Sequence, residues 1–268
     1  MTMPVSLETL TGATIFDLEH ERYTGAAIYP AHWPGYVYTL HRHHEEIPGQ
    51  HRTSASGTII MQEHAGTHID ALCHQAIDME MFGGVRVTPA VQTPRGFTEL
   101  GAETIPPIFR RGVILDVAAA RGVPALPERG LVDGADLQAA ADRQGIEFRT
   151  GDCILVRTGW GARFDEGEPY LQAPGISADG ARWLRERSPF LVGADNVAFD
   201  QPDNVDAELG ILPSHSVLIV QAGIYILENL NLEALASAQP ADFLLVCIPL
   251  KFRGVTGSPV RPLALASR

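Results

Sequence analysis

Residues 64–74 carry a dense group of side chains that bind metals or transfer protons. The group consists of His64, His68, Asp70 and His74. Imidazole nitrogens and carboxylate oxygens are suitable ligands for Zn²⁺, Mn²⁺ or Fe²⁺, and three protein ligands beside one open coordination position are typical of hydrolytic metal sites. The pattern therefore predicts a metal bound by His64, His68 and Asp70, with His74 beside it as the proton-transfer group.

The spacing of these four residues indicates how the backbone presents them. All four have even numbers, so an extended chain would direct them to one side, whereas a continuous helix would spread them over different faces. Gly66, between the first two histidines, permits close approach of the backbone. We therefore expect a strand or a loop over residues 64–74.

A single histidine next to an apolar strand is more often a hydrogen-bonded core residue than a metal ligand. Four such side chains within residues 64–74 favour the metal site instead. A second group lies in a polar run and consists of His41, His43, His44, Glu45 and Glu46. We interpret this second group as a solvated face, because Pro48 stands where a zincin motif has its second histidine.

Other catalytic chemistries find little support in the sequence. There is no Gly-x-Ser-x-Gly elbow and no phosphate-binding loop, and the fragment 159–161 lacks the third glycine of a dinucleotide-binding motif. Cys73 is a poor candidate nucleophile for His74, since adjacent residues on a strand point in opposite directions. Cys73, Cys153 and Cys247 are an odd number of widely spaced cysteines, so we expect no disulfide framework.

Charge and composition limit the possible partners. The chain of 268 residues has 32 Asp and Glu against 20 Lys and Arg, a formal charge of −12, which repels nucleic acid and anionic membranes. Residues 1–8 lack the features of a signal peptide, and no apolar run of about 18 residues follows. We predict a soluble cytoplasmic protein that acts on a small-molecule substrate and binds neither nucleic acid nor a membrane.

Alternating strand and helix patterns predict a single α/β domain over residues 1–268. A loop-rich segment, 1–57, comes before the first clear strand, 58–61. Further strands are predicted over 113–117, 153–158, 190–194, 217–221, 225–227 and 243–250, and helices over 133–144, 177–187 and 232–238. Asp133 and Ser177 are the expected N-caps of the first two helices.

The stretch 64–74 resembles the cyclase-like metal-dependent hydrolase family, which includes kynurenine formamidase and isatin hydrolase and has the motif His-x-Gly-Thr-His-x-Asp-x-Pro-x-His. Leu72 stands in the position of the proline, and the matching residues are His64, Gly66, Thr67, His68, Asp70 and His74. The resemblance covers most of the chain from about Asp17 onward. It includes segments 155–160, 192–195, 212–215, 226–229, 249–254 and 258–262.

The resemblance implies a swivelling β/β/α fold and a homodimer or homotetramer. It implies a first Zn²⁺ or Mn²⁺ ion on His64, His68 and Asp70, and often a second ion on Asp70, His215 and Glu228. His215 and Glu228 enter through the resemblance alone, since nothing in their local sequence links them to residues 64–74. Whether one metal or two bind is left open.

The implied activity is hydrolysis of a C–N bond in a small aryl or cyclic amide, such as a formamide, a lactam or an imide. A bound metal supplies activated water for this reaction, and His74 moves the proton. Three alternatives remain: a lactone hydrolase of the same family, a non-catalytic protein with a structural metal, and a metal-free cyclase or isomerase that uses His74 alone.

Overall fold

The computed structural model describes residues 12–267. In this range the strands are β1 Thr14–Asp17, β2 Tyr36–Arg42, β3 Ser56–Met61, β4 His68–Asp70, β5 Glu80–Met81, β6 Val85–Arg86, β7 Gln92–Thr93, β8 Gly96–Phe97, β9 Ile108–Asp116, β10 Leu131–Val132, β11 Cys153–Arg157, β12 Gly175–Ile176, β13 Leu191–Ala194, β14 Val205–Asp206, β15 Gly210–Ile211, β16 Tyr225–Glu228, β17 Phe243–Cys247, β18 Gly257–Pro259 and β19 Leu263–Ala266. The helices are α1 Val117–Ala120, α2 Gly134–Gln144, α3 Ala178–Glu186, α4 Pro213–His215 with a π-helical extension Ser216–Val220, and α5 Glu233–Ala238. Short 3-10 turns occupy Pro30–His32, Phe82–Gly84, Ala102–Thr104, Trp160–Glu166 and Glu168–Gln172.

One large sheet organises the described residues, with the strand order β1-β19-β17-β9-β11-β13-β16-β4-β18. Its centre, β9-β11-β13-β16, is parallel, and helices connect these strands as parallel pairing requires. The outer strands on both sides pair antiparallel. Strands β11 and β13 and the second half of β9 are almost entirely buried, so their apolar runs form the core of the sheet.

The two predicted N-caps are confirmed. The Asp133 side chain accepts a hydrogen bond from the Asp136 N–H at 3.0 Å. The Asp136 carboxylate accepts one from the Asp133 backbone N–H, also at 3.0 Å, which completes a capping box at the start of α2. The Ser177 hydroxyl accepts from the Gly180 N–H at 3.2 Å at the start of α3. These local contacts explain why both helices begin where the sequence predicts.

The strand predicted over residues 217–221 is wrong. These residues continue α4 as the π-helical segment Ser216–Val220, with Val217, Leu218 and Ile219 buried. A short apolar run fits a buried strand and a buried helix equally well, so periodicity does not separate the two. This helical segment matters for function, because it directly follows His215, a predicted metal ligand.

The loop-rich segment predicted over 1–57 contains more regular structure than expected. Strand β1 adds to the edge of the large sheet beside β19, and β2 pairs with β3 in an antiparallel hairpin. The hairpin is largely exposed and connects through the polar run 43–55. The prediction that there is no signal peptide concerns residues 1–8, which lie outside the described residues.

In the part of the chain that the structure describes, no helix combines the length and apolar composition needed to cross a membrane. The predicted homodimer or homotetramer stays a prediction.

Candidate metal centre

Strand β4 places two of the predicted ligands on one face of the sheet. His68 and Asp70 are two residues apart on this strand, so their side chains point to the same side. β4 lies between β16 and β18, and its register pairs His68 directly with Glu228 and Asp70 with Gly257. Two carboxylates and an imidazole from distant parts of the sequence therefore meet at one point of the sheet edge.

A corner at the end of β16 fixes this register. Asn229 follows Glu228 with a φ of 54°, which turns the chain away from the strand. Its carbonyl accepts a hydrogen bond from the Thr67 hydroxyl at 2.6 Å, and its side-chain amide donates to the Gly66 carbonyl at 3.2 Å. Gly66 has a φ of 65°, a conformation that glycine adopts without strain. The residues before β4 and after β16 are thus joined directly.

Separations between the buried ligand atoms match those around a shared ion. His68 Nε2 lies 3.4 Å from both Asp70 Oδ1 and Glu228 Oε2. His215 Nε2 lies 3.4 Å from Asp70 Oδ2 and 3.3 Å from Glu228 Oε1. Two ligand atoms about 2.1 Å from one ion at a tetrahedral angle are about 3.4 Å apart. The donor atoms therefore surround common points in space.

Unpartnered polar atoms lie at the centre of the cluster. Both Asp70 carboxylate oxygens and His64 Nδ1 are buried and have no hydrogen-bond partner among the described residues. His64 Nδ1 nevertheless lies 2.9 Å from Asp70 Oδ1. Buried polar atoms without partners are costly in a folded protein unless a ligand satisfies them. The site residues present fit a divalent cation.

Hydrogen bonds set the orientation of two of the imidazoles. His68 Nδ1 lies 2.7 Å from the Gly66 carbonyl, and His215 Nδ1 lies 2.7 Å from Asp200 Oδ2. A carbonyl and a carboxylate only accept hydrogen bonds, so in both rings Nδ1 carries a hydrogen and Nε2 is the nitrogen left for a metal. Both Nε2 atoms therefore face the centre of the cluster as potential metal donors.

Charges in the cluster shift the pKa values of its members in opposite directions. Burial alone would raise the pKa of the Asp70 carboxyl, but the surrounding imidazoles, including His74 and His215, hold this pKa well below its usual value. Burial would lower the pKa of His215, but Asp200 and other carboxylates raise it well above 6.5. The pKa of Glu228 is raised by burial and by the charge of Asp70. An ionised Asp70 at the centre attracts positive charge, as a cation site requires.

His74 lies beside the cluster, in the turn that follows β4. One of its ring nitrogens is within 4.8 Å of ligand atoms of Asp70 and His215, and its ring centroid is 4.2 Å from that of His64. Burial and the neighbouring imidazoles hold the pKa of His74 well below 6.5, although Asp70 acts in the opposite direction. His74 is therefore positioned next to the ion site and is neutral at pH 7.

Comparison with known proteins is consistent with this geometry. The profile of the Cyclase family matches residues 16–201, which is more than half of the chain. The chain belongs to the Cyclase family. In overall structure it is similar to a crystal structure described as a novel cyclase, with a TM-score of 0.82 and 25% identity over 97% of this chain and 93% of the other. The α/β cyclase fold predicted from the sequence is confirmed.

Relatives of this cyclase-family protein include enzymes with named activities. It is 28% identical to kynurenine formamidase of Bacillus thuringiensis strain Al Hakam, over 76% of this chain and 77% of the relative. It is 25% identical to isatin hydrolase of Roseibium aggregatum, over 78% of this chain and 74% of the relative. Cyclase-like protein 3 of Oryza sativa subsp. japonica is 36% identical over 32% of this chain, and the match spans only 29% of the rice protein.

The structure brings all the residues predicted as site residues into one cluster, namely His64, His68, Asp70, His74, His215 and Glu228. The strand or loop expected over 64–74 is confirmed, since β4 is a strand and His64 and His74 lie in the turns that flank it. The assignment of individual residues as metal ligands stays a prediction. Of the long-range members, Glu228 reaches the cluster because β16 pairs with β4. His215 comes from α4, where Asp200 holds its ring.

Sequence reasoning missed two residues of this centre. Asp200 holds His215, and its only sequence signal is a carboxylate a few residues after β13, which is too common to be specific. His32 stacks on His64 with ring centroids 4.6 Å apart, and burial together with His64 and His68 lowers its pKa to about 4. It lies at the end of the 3-10 turn Pro30–His32, in the loop-rich segment predicted over 1–57.

The remaining candidates have structural roles. The second histidine and glutamate group, residues 41–46, is exposed and belongs to none of the potential metal-binding groups found among the described residues. Asp195 is buried and accepts hydrogen bonds from the Thr158 N–H at 2.8 Å and hydroxyl at 2.7 Å, as expected for a structural carboxylate. Burial raises the pKa of Cys73 to about 12, so its thiol is a poor nucleophile.

Replacing Asp200 by asparagine is expected to lower the affinity for the ion bound by Asp70, His215 and Glu228 by about 10- to 100-fold. The reason is that one Asp200 oxygen accepts a hydrogen bond from the Ser214 N–H and the other accepts one from the His215 ring, and asparagine has only one such oxygen. The affinity for the other ion, bound by His64, His68 and Asp70, should change less. Metal stoichiometry and chelator competition measure both effects.

Asp206→Asn is the matched control for Asp200→Asn. Asp206 also accepts two backbone N–H groups, from Glu208 and Leu209, but it contacts no histidine of the cluster. Equal affinities of Asp200→Asn and Asp206→Asn for both ions would show that Asp200 does not support the site.

Proposed function

We propose that this cyclase-family protein is a metal-dependent hydrolase that cleaves a carbon–nitrogen bond in a small aryl or cyclic amide. The bond is that of a formamide, a lactam or a cyclic imide. The single observation that carries the proposal is the set of 3.3–3.4 Å separations among His68, Asp70, His215 and Glu228 around buried Asp70 oxygens that have no other partner in the described chain.

The donor set supports Zn²⁺ or Mn²⁺, in one or two sites that share Asp70. Three imidazoles and two carboxylates are borderline to hard ligands, which suit both ions. No thiolate takes part, since the only cysteine near the cluster, Cys73, donates to the Val255 carbonyl at 3.6 Å. Such a mixed nitrogen and oxygen set is typical of hydrolytic centres and not of the cysteine-rich structural zinc sites.

A divalent metal held by these histidines and carboxylates would lower the pKa of a water molecule to about 7 and would polarise a carbonyl oxygen. His74 lies within 4.8 Å of the ligand atoms of Asp70 and His215 and has an uncharged ring at pH 7, so it accepts a proton from the attacking water. A carbon–oxygen bond then forms, and the carbon–nitrogen bond breaks as His74 returns the proton to the leaving nitrogen. Asp70 stays ionised throughout.

The substrate class rests on the relatives and on the chemistry of the site. The names of these relatives indicate a formamide substrate for kynurenine formamidase and the cyclic amide isatin for isatin hydrolase. In both substrates a carbonyl carbon is bonded to nitrogen. A lactone is the nearest rival, because the same centre would attack an ester carbonyl. Substrate profiling separates the two.

The deciding experiment measures proton release from the purified protein with N-formylkynurenine, isatin, cyclic imides and a lactone. Turnover is expected with at least one amide substrate when Zn²⁺ or Mn²⁺ is present. Faster turnover of the lactone than of every amide would contradict the proposed bond specificity. No turnover of any substrate by metal-loaded, folded protein would contradict hydrolysis of this substrate class.

Metal removal by a chelator is expected to abolish turnover while the protein stays folded, and added metal should restore activity. The apolar core around β9, β11 and β13 is formed by hydrophobic side chains and not by the site residues, so we expect the chain to fold without the ion. Circular dichroism and thermal unfolding measure the second effect. Unfolding on chelation would instead support the alternative of a structural metal, and turnover that is indifferent to chelation would support the metal-free alternative.

A further inference from the structure

His64 differs from His68 and His215, the other two proposed histidine ligands, in the partner of its second nitrogen. His68 and His215 donate to a carbonyl and to a carboxylate, groups that can only accept. His64 Nε2 instead lies 2.8 Å from the hydroxyl of Thr256. A hydroxyl both donates and accepts, so by itself it does not decide which nitrogen of His64 carries the hydrogen.

Glu63 removes this ambiguity. The Thr256 hydroxyl forms a short hydrogen bond to Glu63 Oε1, which also accepts from the Thr256 backbone N–H at 3.0 Å. A carboxylate cannot donate, so the hydroxyl must give its hydrogen to Glu63. Its oxygen lone pair is then left to accept a hydrogen from His64 Nε2. The hydrogen-bond chain therefore runs in one direction, from His64 through Thr256 to Glu63.

The consequence appears at the other side of the His64 ring. With the hydrogen on Nε2, the lone pair lies on Nδ1, the buried atom that has no hydrogen-bond partner and is 2.9 Å from Asp70 Oδ1. Gly257 leaves room for the ring in this place, since a Cβ atom at this position would lie 2.7 Å from His64 Cε1. Both the tautomer and the position of His64 thus depend on residues 256–257, almost 200 positions away in sequence.

We propose that Glu63 and Thr256 are positioning residues that hold His64 in the Nε2–H tautomer and so present Nδ1 to the metal. This inference deepens the proposed function and rests on its metal site. Without Glu63, the Thr256 hydroxyl is free to donate to Nε2, and the hydrogen of His64 moves to Nδ1, where it blocks the ion. Without the hydroxyl, Nε2 loses its acceptor.

The test compares four variants with the wild-type protein. Glu63→Met removes the acceptor, and Thr256→Val removes the hydroxyl at nearly constant volume. Each is expected to weaken Zn²⁺ binding by about 10- to 100-fold in chelator competition, the usual effect of losing a partner of a ligating histidine. Thr256→Ser keeps the hydroxyl and should retain wild-type affinity.

Glu103→Met is the matched control. Glu103 also accepts a backbone N–H from the same loop, that of Gly254 at 2.9 Å, but the described structure gives it no connection to a histidine. A general loosening of this loop would weaken metal binding in Glu103→Met as much as in Glu63→Met. The proposal expects affinity to fall only in the second.

Nitrogen-15 chemical shifts of the His64 ring in the metal-free protein give a second readout that does not depend on metal or activity. In the wild-type protein His64 Nε2 should carry a hydrogen, and Glu63→Met should show a larger share of rings with the hydrogen on Nδ1 alone. Equal tautomer populations in the two proteins would overturn the proposal, even if the wild-type protein bound no metal. Failure of the wild-type protein to bind Zn²⁺ or Mn²⁺ would instead count against the proposed function.

Discussion

Replacing His74 by alanine is expected to lower kcat for the amide substrate by about 10²- to 10⁴-fold, with the metal still bound. His74 is the only imidazole of the six-residue cluster that the two proposed ligand sets do not use. Its ring lies 4.2 Å from that of His64 and 5.9 Å from that of His215, measured between centroids. Its loss removes the group that moves the proton but leaves the ligand atoms in place.

The measurement for His74→Ala combines steady-state kinetics with metal analysis of the same sample. His44→Ala is a suitable control, because His44 lies in the exposed loop and hydrogen-bonds only to Thr53 within the described chain, at 2.7 Å. Wild-type kcat in a His74→Ala protein that retains its metal would remove His74 from the reaction. Loss of the metal together with activity would assign His74 to binding instead.

Replacing Asp70 by asparagine is expected to have the largest effect on metal binding, a loss of more than about 100-fold. Losing a residue that merely orients a ligand already costs about 10- to 100-fold, and Asp70 itself places one oxygen toward His68 and the other toward His215. Asparagine keeps the volume but removes the charge that attracts the cation. Turnover should fall to the uncatalysed rate at metal concentrations that saturate the wild-type protein.

Chelator competition and isothermal titration measure the loss in Asp70→Asn. Asp142→Asn makes the same chemical change at an exposed helix position, where the carboxylate accepts only from Gln138 at 2.8 Å among the described residues. Its affinity should equal that of the wild-type protein. Undiminished metal binding in Asp70→Asn would mean that the buried carboxylate oxygens have another purpose, and the metal site would have to be placed elsewhere.

Much of the fold followed from local patterns. The helices that start at Asp133 and Ser177 could be predicted because each cap is a contact within three residues. The buried strands β11 and β13 could be predicted from short β-branched runs. The segment 217–221 could not, since its apolar residues fit a strand or a helix until the preceding turn at His215 is known. In the hairpin β2-β3, the strand β3 was predicted over 58–61, but β2 was missed because it is largely exposed and lacks a clear alternating pattern.

The sequence by itself determined the centre of the candidate site. His64, His68, Asp70 and His74 are close together in the chain, so their types and spacing alone predict a metal and a proton carrier. Two-residue spacing on a strand is enough to point the middle pair to one side. No tertiary information is needed for this part of the prediction.

Only the tertiary structure decided what completes the centre. Glu228 meets His68 through the register of β16 against β4, and Asp200 meets His215 through a hydrogen bond of 2.7 Å. Thr256 reaches His64 from the far end of the chain. Sheet register and side-chain hydrogen bonds between distant segments depend on how the whole chain packs. A local sequence pattern therefore does not predict them.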